Sequence, residues 1–243
     1  MNTKLSYICA KITQRTMKFR LPILLVALTL CFVTTIRGQH KTFAIKNGIA
    51  IQGGITQFDI KTDNFTTKKG NGFIGGMAAT VDLPHKWYTV SYGMLLSENN
   101  LEISGRMTDD VLGNEMIEYK MMTIQVGFLF HAKILNENLT LDIGPQLQYN
   151  GKLELKDSEN ENYFINGYES IIASDITNIS QFNANGVLGI SAGIGAFRII
   201  VQYGYGFTNI FNKLNNSNLS TGTGESEFKG NQELLSLTAM ITF

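Results

Sequence analysis

The sequence predicts an all-β chain: an eight-stranded antiparallel up-and-down transmembrane β-barrel, preceded by a signal peptide. Three observations lead there. The one strongly hydrophobic stretch near the N-terminus is too short to cross a bilayer as a helix. The rest of the chain alternates apolar and polar residues with a period of two. The connections between the alternating segments are long and short in turn.

The hydrophobic stretch is LPILLVALTLCFV over 21–33, 13 residues, against about 20 for a membrane-spanning helix. It fits the apolar region of a secretory signal. Lys18 and Arg20 precede it, and Gly38 offers a cleavage point before Gln39. Residues 1–38 therefore read as a signal peptide, with Met17 as an alternative start because 17–38 is complete by itself. An uncleaved anchor, or a lipoprotein signal using Cys31, are the competing readings. The second is disfavoured by Leu30, where lipidation wants a small residue.

After residue 40 no run of 18 apolar residues occurs, and alternation dominates, which argues strands. The clearest is 197–208, FRIIVQYGYGFT, where Phe197, Ile199, Val201, Tyr203, Tyr205 and Phe207 oppose Arg198, Ile200, Gln202, Gly204, Gly206 and Thr208. Residues 139–150 and the C-terminal segment ending at Phe243 repeat the pattern. Weaker alternation marks 48–60, 72–83, 86–98, 116–131 and 182–193. The first loses parity after Ile55, which predicts a bulge or an early end near Thr56. The fourth is irregular until Ile124.

The connections are expected at about 61–71 (long), Pro84–His85 (tight), 99–115 (long), 132–137 (short), 152–181 (longest), 194–196 (tight) and 209–230 (long). Outer-membrane barrels have short periplasmic turns and long extracellular loops. That pattern puts both termini on the periplasmic side and implies export to a bacterial outer membrane, with outer-membrane lipid around the wall. A soluble barrel would need apolar residues inside and charged ones outside. Here the polar parity is mainly Gly, Ser, Thr, Asn and Gln, which suits a narrow lumen. Tyr88, Tyr203, Tyr205, Phe207 and Phe243 lie near strand ends on the apolar parity, as interfacial girdles do.

The chain has 20 basic and 20 acidic residues; six of the basic ones and none of the acids lie in 1–38, leaving 14 against 20, a net of −6. Nothing in that balance points to nucleic acid. Cys9 and Cys31, the only cysteines, leave with the signal, so neither a disulfide nor a thiolate metal site is expected.

Candidate chemistry is sparse. The histidines are His40, His85 and His131, and none falls in an expected extracellular loop, where a protease or acyl-hydrolase barrel would need its base. No enzyme activity, catalytic residue, metal site or cofactor is therefore expected. Asp157, Glu159 and Glu161 cluster in a loop and could hold Ca²⁺ weakly through oxygen; solvated loop charge is the favoured reading. GISAGIG is not a nucleotide fingerprint, since no helix follows it. Asp82, Asp142 and Arg198 share the lumen parity near the periplasmic strand ends and are expected to form an ion cluster there, because a lone buried charge is costly.

LTLDIGPQLQYN (139–150), FNANGVLGISAGIG (182–195) and VQYGYGFTNI (201–210) resemble the PorT-type outer-membrane β-barrel domain family of Bacteroidetes. The resemblance covers most of 44–243. It departs at Gly127, where the family often has Pro. It implies an outer-membrane barrel and suggests type IX protein secretion. The closing LTAMITF, ending on Phe243, resembles the aromatic signal presented to the barrel-insertion machinery. An eight-stranded interior is just filled by side chains, so no open pore is expected. The roles left open are a structural or partner-binding protein acting through 152–181 and 209–230, a type IX component, or a narrow channel.

Overall fold

A computed structural model describes residues 46–108, 113, 115–217, 219 and 227–243. The expected signal peptide, Met17, Cys9, Cys31 and His40 lie outside them. Among the described residues there are ten strands: β1 (Lys46–Lys61), β2 (Thr67–Asp82), β3 (Tyr88–Arg106), β4 (Glu115–Leu135), β5 (Leu139–Asn150), β6 (Glu154–Leu155), β7 (Phe164–Ile165), β8 (Phe182–Ile194), β9 (Phe197–Gly206) and β10 (Asn231–Thr242). Two of them, β6 and β7, are two-residue additions at the outer ends of β4 and β3. The other eight form an antiparallel ring in which each pairs with its sequence neighbours and β10 closes on β1. Closure removes the free sheet edges that would otherwise expose unpaired backbone. The Phe243 amide donates to the Ile49 carbonyl at 2.8 Å and fastens the C-terminus into the seam.

Hydrophobic side chains cover the middle of the outer wall. Ile51, Met77, Met94, Val126, Leu147, Leu188, Val201 and Leu237 are all among the exposed large hydrophobics. Many inward positions there are small or polar, as the parity predicts, but Leu95, Val187, Ile200 and Met240 also face inward and are buried. Rings gather at the two margins of this belt. Trp87, Tyr88 and Phe130 pack together at one margin, with centroids 4.9–5.4 Å apart. Tyr149–Phe182 and Tyr205–Phe207 lie at the other.

Several strands outrun the belt. β3 has 19 residues and β4 has 21, where a tilted strand needs about 9–11 to cross a bilayer. Past Leu96 the outward residues of β3 become Glu98, Asn100 and Glu102, while the inward ones become Leu101 and Ile103, both fully buried. β1 and β4 invert in the same way: Phe58, Ile60, Ile117, Tyr119 and Met121 are buried inward. This corrects the expected bulge near Thr56. Pairing of β1 runs in register through Lys61, and its pattern breaks because the two faces exchange polarity where lipid would give way to water. The irregularity lies instead on β2, between Lys69 and Phe73 opposite β3. For the same reason the first and third connections shrink from 61–71 and 99–115 to the intervals left between the strands, 62–66 and 107–114.

The tight turns are 83–87, 136–138 and 195–196. Asn136 (φ 51°) and Gly195 (φ 62°) supply the left-handed backbone the last two need.

Candidate functional site

The lumen divides into three levels. At the outer end, 151–181 and the described parts of the last long connection, 207–217 and 227–230, fold over the mouth. Leu153, Ile171, Ile176 and Ile179 from the first, and Ile210, Phe211, Leu214 and Phe228 from the second, are buried against the inward apolar ends of β1, β3 and β4. Phe65 meets Phe211 edge-on at 5.1 Å and stacks on Phe228 at 5.7 Å. Polar groups inside this cap are answered. Arg106 donates to the carbonyls of Ile165 and Tyr168, at 3.1 and 2.8 Å. The Tyr119 hydroxyl donates to the Ala173 carbonyl at 3.0 Å, and burial pushes its phenol well above the ordinary value of 10.0, so it remains a donor. Asn209 Oδ1 accepts from the Phe211 and Gly230 amides at 3.0 and 2.9 Å.

Below the cap lies a layer of amides. Gln148 Nε2 donates to Gln232 Oε1 (3.0 Å), Gln232 Nε2 to Asn185 Oδ1 (3.0 Å), Asn185 Nδ2 to Gln148 Oε1 (2.8 Å), and Gln125 Nε2 to Gln148 Oε1 (3.2 Å). These side chains come from β4, β5, β8 and β10 and span the lumen. The void beside them is about 10 Å³, room for at most one water.

The inner half holds a chamber of about 380 Å³. Inward Gly93, Gly127 and Ala78 leave the space. Leu95, Leu129, Val187, Ile200 and Met240 make much of the wall, and Glu137, Gly195 and Ala196 from the tight turns line its mouth. Of the three residues expected to form an ion cluster, Asp82 and Arg198 line this chamber and Asp142 is buried beside it. Asp82 pairs with Lys133 at 2.9 Å. Asp142, fully buried, pairs with His131 at 2.7 Å. Arg198 donates to the Glu137 carbonyl at 2.6 Å and to Ser191 Oγ at 3.2 Å. Ser191 lies 3.5 Å from Asp142 Oδ1, so Arg198 meets that carboxylate through a hydroxyl.

Sequence reasoning weighed His131 only as a base for outer-face chemistry and passed over Lys133 and Ser91. His131 stands directly opposite Asp142 in the β4–β5 register, and its Nε2 lies 2.7 Å from Ser91 Oγ on β3. The available signal was shared inward parity on three consecutive strands. Among the described residues no three or more His, Cys, Asp or Glu side chains form a metal-binding group. Asp157 Oδ1 accepts the Glu159 amide at 3.0 Å and caps the short 3₁₀ turn 158–162, which gives that loop carboxylate a local role.

No protein-family model matches the chain, and no curated protein matches it. Among solved structures it is similar to Neisserial surface protein A, at 10% identity over 83% of this chain and 100% of that one, with a TM-score of 0.46. It is also similar to the Yersinia pestis attachment invasion locus protein Ail in complex with the heparin analogue sucrose octasulfate, at 14% identity over 82% and 99%, TM-score 0.42. A structure of Ail in a phospholipid bilayer nanodisc gives 14% identity over 82% and 100%, TM-score 0.38.

Proposed function

We propose that the chain is a small bacterial outer-membrane β-barrel whose folded outer end binds a partner, and that it forms no open pore. The carrying observation is the closure of the outer mouth by a buried core of loop residues, backed by the amide layer. A loop cap with its own core is pre-organised, which lowers the ordering cost of binding. The apolar belt with aromatic margins supports the membrane setting. Phe243 supports delivery through the barrel-insertion machinery. Catalysis at the outer face is not part of this reading, because no histidine lies in a long connection.

Two measurements test it. In planar bilayers the protein should carry no steady current; an ohmic conductance would restore the channel reading. Photo-crosslinkers at exposed Glu159 and Glu169 should trap one specific partner on intact cells, whereas one at Lys86 in a tight turn should not. Identical products from all three sites would contradict binding through the cap. A place in type IX secretion is supported only by the PorT-type resemblance of 139–150, 182–195 and 201–210. Intact export of type IX cargo after deletion of the gene would eliminate it.

A further inference from the structure

We propose that Ser91 is the nucleophile of an acyl-ester hydrolase site on the wall of the inner chamber, with His131 as its base. This goes beyond the outer-face binding role and does not rest on it.

The protons can be assigned by elimination. The Asp142 carboxylate only accepts. His131 Nδ1, 2.7 Å from Asp142 Oδ1, must therefore carry the ring proton of the neutral imidazole. Nε2 is then an acceptor, and Ser91 Oγ, 2.7 Å away, donates to it. That is the tautomer and polarity a serine nucleophile needs from its base. The carboxylate is itself held in place. Thr140 Oγ1 donates to the same Asp142 oxygen at 2.7 Å. Ser191 lies 2.6 Å from Thr140 and in turn accepts from Arg198. Asp142 is a positioning residue here; its buried charge stabilises the imidazolium that forms when His131 takes the proton.

Hydrogen bonding that only filled a lumen would not need an open chamber beside it. Ser91 and His131 both line one of about 380 Å³, within the usual range of roughly 300–1,000 Å³ for small-molecule sites. The apolar wall of Leu95, Leu129, Val187, Ile200 and Met240 suits a hydrocarbon chain, while Lys133 and Arg198 stand toward the mouth. The substrate class is a single-chain acyl ester entering tail-first from the inner end.

The step balances with water alone. Ser91 Oγ bonds to the carbonyl carbon as its proton passes to His131. The ester C–O bond breaks, and His131 gives that proton to the leaving alkoxide. Water then attacks the acyl-serine, loses a proton to His131, and Ser91 recovers it as the acid departs. Side-chain amides that could donate to an oxyanion line the same chamber, Gln52 and Gln202 among them.

The test uses the full barrel refolded into lipid nanodiscs and an alkyl fluorophosphonate as probe. Peptide mapping should place one adduct on Ser91 and none on Ser191, which lines the same chamber, nor on Ser97 or Ser236. Ser91→Ala should abolish it, and His131→Gln should slow it by about 100-fold or more. Turnover of 4-nitrophenyl octanoate should fall in parallel. Circular dichroism and heat-dependent gel mobility report whether each variant is folded. Should a variant fail to fold, the site of the adduct in the unaltered chain decides alone. Absence of an adduct on Ser91 in the folded barrel, or a rate unchanged in folded His131→Gln, would overturn the assignment and leave a purely structural hydrogen-bond chain.

Discussion

Neighbouring residues on one strand face opposite media. Val201 points outward and is 45% exposed, while Gln202 lines the chamber. Val201→Arg should cost roughly 2–4 kcal/mol at mid-bilayer depth, and Gln202→Glu much less. Urea unfolding from lipid vesicles measures both; equal costs would contradict the assigned faces. That orientation was legible in the sequence, because side-chain direction alternates with a period of two whatever the neighbours are. Pairing between strands was not. Asp82, Asp142 and Arg198 could be placed on the lumen face, but Lys133 and His131 could not be named as partners. Which residues stand opposite one another depends on the register between strands, and alternation within a strand does not encode it. Ser91 escaped notice for the same reason: an inward serine is ordinary until His131 is found beside it.

Strand ends and loops show where sequence patterning misleads. The outer ends of β1, β3 and β4 keep their pairing but exchange polarity between faces, so a reading tuned to an apolar exterior takes them for loops or bulges. The cap they build with 151–181, 207–217 and 227–230 has a core of its own, and that core should be separately breakable. Phe211→Ala should cost about 3–5 kcal/mol and admit protease to 151–181 while the barrel keeps its heat-dependent mobility. Protease resistance equal to that of the unaltered chain would contradict a packed cap. The Tyr119 phenol is raised by burial, so the folded cap holds its proton above the ordinary value of 10.0, where the unfolded chain releases it. Cap stability should therefore be unaffected below that pH and fall above it, by up to about 1.4 kcal/mol per pH unit from this group. Tyr119→Phe should flatten this part of the alkaline loss, at a cost of about 1 kcal/mol for the hydrogen bond to Ala173. Protease-monitored unfolding of the cap across pH 8–12 is the check.

At the scale of the whole molecule, one closed ring holds two regions of different physical character. Where its outer wall is apolar the ring holds an amide layer and a partly apolar chamber, and where its outer wall is polar it encloses an apolar core. Both obey the same requirement: each face of the sheet matches what it touches. The count of eight strands and the alternation of long and short connections followed from the sequence; the inner chamber did not. Its volume depends on Gly93, Gly127 and Ala78 falling at one level of three different strands, which only the ring's stagger decides.

The central claim, that lipid covers the outer wall, can be measured at one natural reporter. Trp87 is the sole tryptophan, is 65% exposed, and packs against Tyr88 and Phe130 at the inner margin of the belt. In vesicles of brominated lipid its fluorescence should be quenched most by bromines near the headgroup and least by those at mid-bilayer. Emission unchanged by brominated lipid at any depth, from a folded chain that stays in solution without detergent, would contradict the account.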